Sequence, residues 1–149
     1  MGRVALPAQG VVYLDTSVFI YAVEHCQPYA SLVAPIWPLA AAGRLRLATS
    51  ELTAMEALVA PLRAGDVPLQ DDYRRMLYQS DVKLQSVSTT VLMAASALRA
   101  AYPALRTPDA VHIATAQQVG CGTFLTNDHR LGRVPGLPVL LLDDLLSAA

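Results

Sequence analysis

Charge is scarce in this chain: only 15% of its 149 residues are Asp, Glu, Lys or Arg, and lysine occurs once, at Lys83. The formal net charge is −1, so the global basic surplus of a whole-surface nucleic-acid binder, with pI above ~9, is absent. Any handling of RNA must therefore rest on locally placed arginines, or on a dimer that brings them together. Cysteine is nearly absent too. Cys26 and Cys121 lie far apart and fit neither a CxxC motif nor a zinc spacing, which leaves inert reduced thiols of a cytoplasmic protein. No stretch approaches the ~18–20 uninterrupted apolar residues of a membrane span. The opening MGRVALPAQG has one Arg and no apolar run, which argues against a secretory leader. Leu6 also breaks the myristoylation pattern. A glycine-rich phosphate loop is missing, as are internal repeats and linkers.

What remains is hydrophobic. Ala, Val, Ile, Leu, Met, aromatic residues and Cys make up 54% of the chain, which excludes a disordered segment. The length suits one domain, residues 1–149, able to bury a substantial core. So high an apolar fraction also favours a partner surface.

Short β-rich runs alternate with helical signals. Val11–Leu14, Leu45–Ala48, Thr123–Thr126 and Val139–Leu142 predict buried strands, and Lys83–Val87 alternates like an edge strand. Helices are expected through Val18–Tyr21, from Ala30 to Ala42, from Ser50 to about Leu62, from Asp71 to Gln79, from Ser88 or Thr89 to Ala101, from Thr107-Pro108 to Gln118, and at the C-terminus. Gly43, Gly65 and Gly120 supply stop signals and Thr107-Pro108 a start signal. The alternation predicts a three-layer α/β/α sandwich around a mainly parallel sheet.

Against this apolar background, four acids stand where strands end or helices begin: Asp15, Glu56, Asp109 and Asp128. Such sheets place their sites at the carboxyl ends of the strands. An ionised carboxylate taken out of water costs several kcal/mol unless it is paired or bound to metal. No run of Lys or Arg offers four partners, and a divalent cation would. Taken singly, each acid has a simpler explanation. Asp15 fits a helix cap, and Thr53-x-x-Glu56 fits a capping box, although Ser50 is an equally good cap that would place Glu56 inside the helix. Met55, Leu58 and Val59 suggest that Glu56 is largely buried. Asp109 suits the first turn of a helix, and Asp128 an Asx turn. All four together, at the expected ends of elements, point to convergence.

His112 lies one turn beyond Asp109 on the same helix face; it fits either a partner for a carboxylate or phosphate, or a satisfied core histidine. His129 reads as surface. Arg106, Arg130 and Arg133 flank the acidic segments and are candidates to hold phosphates.

These segments resemble the PIN-domain ribonucleases, and in size and motif wording the VapC-type toxins of bacterial toxin–antitoxin pairs. VVYLDTSVFIYAVE is similar to the family's opening strand with its first acid at Asp15, and ELTAMEALV to the helix with the second at Glu56. TPDAVHIATA is the most specific match and carries the third at Asp109. FLTNDHRL resembles the closing segment, with Asp128 as fourth acid and Thr126 and Asn127 as supporting polar groups. The Pro-rich stretch Ala34–Pro38 departs from the pattern and bears on the shape of the substrate groove.

The resemblance implies a metal-dependent endoribonuclease, with Mg²⁺ (or Mn²⁺ as substitute) held by carboxylates and waters. Asp15 and Asp109 would be the direct ligands, Glu56 and Asp128 would act through water, a second ion or the nucleophile, and Ser17 would add a hydroxyl. Without metal, at least one of four close acids should have a raised pKa. A small antitoxin across the groove and a homodimer are also implied. Two alternatives stay open: a PIN-like module that binds RNA or protein without cutting, and an RNA-maturation nuclease with no antitoxin. A phosphatase-type site would require D-x-D where this chain has Asp15-Thr16-Ser17.

Overall fold

Residues 4–148 are described by a computed structural model; the first three residues of the N-terminal segment assessed above, and the last residue of the expected domain, lie outside the described residues. The strands are β1 (Gly10–Leu14), β2 (Leu45–Ser50), β3 (Val82–Gln85), β4 (Thr123–Thr126) and β5 (Val139–Leu141). They form one sheet in the order β3-β2-β1-β4-β5, and every pairing is parallel. Among the described residues the sheet is therefore fully rather than mainly parallel. The helices are α1 (Thr16–Val23), α2 (Tyr29–Val33), α3 (Ile36–Ala41), α4 (Glu51–Ala64), α5 (Val67–Tyr78), α6 (Thr89–Ala101), α7 (Thr107–Val119) and α8 (Leu142–Ala148), with a 3₁₀ turn at His129–Arg133. None is long and apolar enough to cross a membrane.

β1 is apolar along its length because both of its faces are covered. Val12 and Leu14 point into one layer with Val18, Phe19, Ile36, Tyr73 and Leu77. Tyr13 points into the other, with Ile113, Phe124 and Leu131. The chain runs outward from β1 through β2 to β3, then returns to β1's other side as β4 and β5. The order reverses between β1 and β4, and a crevice opens there at the carboxyl ends of the strands. Register aligns the two ends: Leu14 pairs with Leu125, and the Asp15 N–H donates to the Leu125 carbonyl at 3.0 Å.

Several expected elements differ. The helix expected from Ala30 to Ala42 is split into α2 and α3, because Pro35 has no N–H to carry the ladder onward. α5 begins at Val67, well before Asp71: the Asp66 carboxylate accepts from Leu69 N–H at 3.1 Å, and Pro68 sits in the first turn. β3 is an edge strand as expected, but ends at Gln85. Ser50, not Thr53, caps α4, accepting from Leu52 N–H at 3.0 Å, which puts Glu56 inside the helix and removes the Thr53 capping box. Nor do Met55 and Val59 bury Glu56. α4 turns Thr53, Ala54, Ala57 and Pro61 inward and leaves Met55 60% and Leu62 54% exposed, with Val59 beside them. That apolar face, and the exposed Leu92 and Met93 of α6, are the surface counterpart of the high hydrophobic fraction. Cys26 and Cys121 are both unpaired; burial pushes the Cys121 thiol up, away from the reactive thiolate.

Candidate functional site: an acidic cleft at the switch point

Four separate elements deliver the four acids to one cleft of about 380 Å³. Asp15 leaves the end of β1 and caps α1, its Oδ1 accepting from Thr16 N–H at 2.8 Å. Its Oδ2 accepts from Thr126 Oγ1, at the end of β4, at 2.6 Å. Asp109 lies in the first turn of α7, where its Oδ2 accepts from Arg106 N–H at 3.0 Å. Asp128 follows β4 and caps the 3₁₀ turn, accepting from Arg130 N–H at 3.0 Å. Each local capping role is thus real and coexists with convergence. A capping carboxylate spends one oxygen on its own helix and keeps the other for the crevice.

Glu56 reaches the cleft from α4 and is held from behind. Its Oε1 accepts from Thr16 Oγ1 at 2.9 Å and pairs with His112 Nε2 at 2.6 Å. His112 Nδ1 in turn shares a 2.7 Å hydrogen bond with the Tyr13 hydroxyl. Tyr13 is fully buried and stacks on Phe124 with ring centroids 5.0 Å apart. Burial, reinforced by Asp15, pushes the Tyr13 hydroxyl far up, so it stays protonated. Burial also pushes the Glu56 carboxyl up, but the hydrogen bonds and charge of His112 and the Thr16 hydroxyl outweigh it and hold Glu56 below its ordinary 4.5. An ionised Glu56 only accepts, so His112 Nε2 carries the proton. His112 is therefore both a buried histidine and a partner for a catalytic candidate.

On the opposite wall, Arg130 forks onto Asp128 through Nε at 3.0 Å and Nη2 at 2.6 Å, and Nη2 reaches Asp109 Oδ1 at 3.4 Å. The Arg130 hydrogen bond is the main reason that the Asp128 carboxyl lies below its ordinary value. The expected rise of an acid's pKa is therefore found at neither Glu56 nor Asp128. No run of basic residues is needed, because one arginine and one histidine, brought in by the fold, supply the compensation. Both carboxyls are held low in the folded state, so their contribution to stability is present above the unfolded pKa and is lost as pH falls through the folded one. The melting temperature is therefore expected to drop as pH falls below about 4. The drop should be shallower in Arg130→Gln, and an identical profile for that variant would contradict the assignment.

Of the remaining expected residues, Ser17, Asn127, Arg106 and Arg130 line the cleft. Thr126 lies beneath it and is fully buried. Asn127 is fixed by Asp143 N–H, which donates to its Oδ1 at 3.1 Å, and Asp143 is itself held by Tyr29 and His129. His129 is a surface residue, 61% exposed. Arg133 stands outside the cleft, beside an adjoining cavity. Tyr13 and Thr16 escaped the sequence reading. The one available signal was a tyrosine in a buried strand, whose hydroxyl requires a partner.

A hard cation fits this donor set. Carboxylates and hydroxyls are its preferred ligands, and Ser17 Oγ is buried with no hydrogen-bond partner among the described residues. As the side chains stand, no three His, Cys, Asp or Glu among the described residues form a ready-made ion cage. Arg130 is paired with Asp109 and Asp128, and His112 with Glu56.

Fold and cleft together define an α/β/α sandwich with a carboxylate-rich crevice at the switch point of a parallel sheet. The chain belongs to the PIN domain family, whose model matches residues 12–137. In fold it is similar to VapBC2 from Rickettsia felis, solved bound to a DNA fragment from its promoter, with 17% identity, TM-score 0.70, and 88% of this chain and 98% of that chain covered. It is likewise similar to a toxin–antitoxin complex from Klebsiella pneumoniae (23%, TM-score 0.66, 88% and 97% covered). DNA-bound VapBC from Salmonella typhimurium is a third such structure (15%, TM-score 0.64, 90% and 99% covered). No curated protein matches the chain in sequence.

Proposed function

We propose that the chain is a Mg²⁺-dependent endoribonuclease and the toxin of a type II toxin–antitoxin pair. The observation that carries this reading is the meeting of Asp15, Glu56, Asp109 and Asp128 in one cleft, beside the unpartnered Ser17 hydroxyl. Membership of the PIN domain family supports it. Asp15 and Asp109 would hold the metal directly, with Asp128 and Ser17 beside them. When bound, the metal supplies an activated water and offsets charge on the phosphate and the leaving oxygen. Glu56, with Oε1 committed to His112 and Thr16, presents Oε2 to orient that water or take its proton. Arg106 and Arg130, which line the cleft, would receive phosphate oxygens. The phosphodiester P–O bond breaks as the water oxygen bonds to phosphorus, and the leaving oxygen gains a proton.

The same proposal includes a single domain over residues 1–149, a cytoplasmic location, a small antitoxin partner laid across the cleft and a homodimer. Its support for the partner is that the structural neighbours are toxin–antitoxin complexes; for a protein interface, it is the exposed apolar face of α4. Purified protein freed of any partner is expected to cut total cellular RNA into discrete fragments with Mg²⁺ and to leave it intact with chelator. Equal cleavage in both would refute metal dependence. No cleavage by folded protein would favour the non-cutting binding module.

A further inference from the structure

Beside the acidic cleft lies a second cavity of about 400 Å³, between the loop joining α6 to α7 and the 3₁₀ turn. The two adjoin: Asp109 and Arg130 line both. Their chemistry is opposite. The second cavity is walled by Tyr102, Pro103, Leu105, Leu131 and Val134, with Arg133 on its wall. Leu105, Leu131 and Val134 are themselves buried, so the floor belongs to the core and does not shift freely. The loop is pinned as well: Arg99 Nε donates to the Leu105 carbonyl at 3.2 Å, Arg99 Nη1 to Thr107 Oγ1 at 3.0 Å, and Leu105 N–H to the Tyr102 carbonyl at 3.0 Å. An apolar hollow of this kind, preformed and adjoining the cleft at two charged residues, has the character of a ligand subsite.

We propose that this cavity receives one unstacked base of the RNA strand whose phosphodiester lies in the acidic cleft. The proposal rests on the nuclease reading. The cavity and the cleft share Asp109 and Arg130, so one ligand can span both, and the ribose bonded to a phosphate in the cleft carries a base that can reach the hollow. A nucleobase has two flat apolar faces and a polar edge, matching apolar walls with a charged rim. Proteins read single-stranded RNA by placing splayed-out bases against aromatic side chains and guanidinium planes. Arg130 and Arg133 both line the hollow and can meet the phosphates on either side of that base. The cavity thus sets which nucleotide stands beside the cut, while the cleft sets the chemistry.

The test follows methyl and amide NMR signals of the full chain as nucleoside 5′-monophosphates are added. Signals of Leu105, Leu131 and Val134 should shift. Ala104→Trp, an exposed position at the cavity lip, should fill the hollow and weaken binding about tenfold, as loss of one stacked base does. Arg133→Gln leaves the hollow open and should weaken monophosphates but not the corresponding nucleosides. In RNA cleavage, Ala104→Trp should lose nucleotide preference beside the cut. The proposal is overturned if monophosphates leave the cavity signals unmoved, if Ala104→Trp binds them as the parent does, or if only a partner protein moves those signals. Cavity shifts without any RNA cleavage would strike the nuclease reading alone, and cleavage without cavity shifts would strike the subsite alone.

Discussion

Asp109→Asn is expected to lower the rate of RNA cleavage by about 10²–10³-fold or more, the scale on which one electrostatic group aimed at a reacting phosphate or carbonyl matters. The substitution is nearly isosteric. The amide oxygen that replaces the carboxylate can still accept the Arg106 N–H, so the first turn of α7 keeps its cap. The negative charge is what is lost, and only 15% of this side chain is exposed. That charge also interacts with the α7 N-terminus, an effect of about 0.3–1 kcal/mol, so the melting temperature should fall by no more than about 4 °C. Rate and melting curve together separate chemistry from folding. Cleavage within a few-fold of the parent protein would remove Asp109 from the site.

His112→Ala should act mainly on stability. It strips the Tyr13 hydroxyl and Glu56 Oε1 of a partner at once and opens a void where a 5%-exposed ring stood. Removing one member of a buried pair costs about 3–5 kcal/mol. Glu56 is 30% exposed and can turn toward water, which brings the expectation down to about 2–3 kcal/mol and a fall in melting temperature of about 5–10 °C. Tyr13→Phe keeps the stack on Phe124 and loses only the hydroxyl, so about 1–2 kcal/mol is expected. An unchanged melting temperature for His112→Ala would mean that the Tyr13–His112–Glu56 chain does not hold the cleft wall.

The positions of the acids were legible in the sequence because Asp15, Asp109 and Asp128 also cap a helix or turn, and capping leaves a local signal. The same holds for the strands: Val11–Leu14 reads as a buried strand, and in the fold both of its faces meet apolar neighbours. The supports of the acids were not legible. Tyr13 meets His112 across 99 positions and Thr16 meets Glu56 across 40, and no periodicity records such a pairing. Arg130 lies two residues from Asp128, yet its reach to Asp109 depends on how β4 and α7 sit side by side. The outward face of α4 misled for a different reason. Met55 and Val59 look like core residues when read locally, and only the fold shows that Ala54 and Ala57 are the ones buried, with Leu58 packed against the core.

In the function proposed here, four acids from four elements form one cation site. Electron paramagnetic resonance of Mn²⁺ tests it directly, with protein in excess over the ion. The intact chain should suppress the free-ion signal saturably, Mg²⁺ should restore it by competition, and Asp15→Asn should leave most of it standing. An undiminished free-ion signal with the intact protein, or equal suppression by Asp15→Asn, would contradict the site.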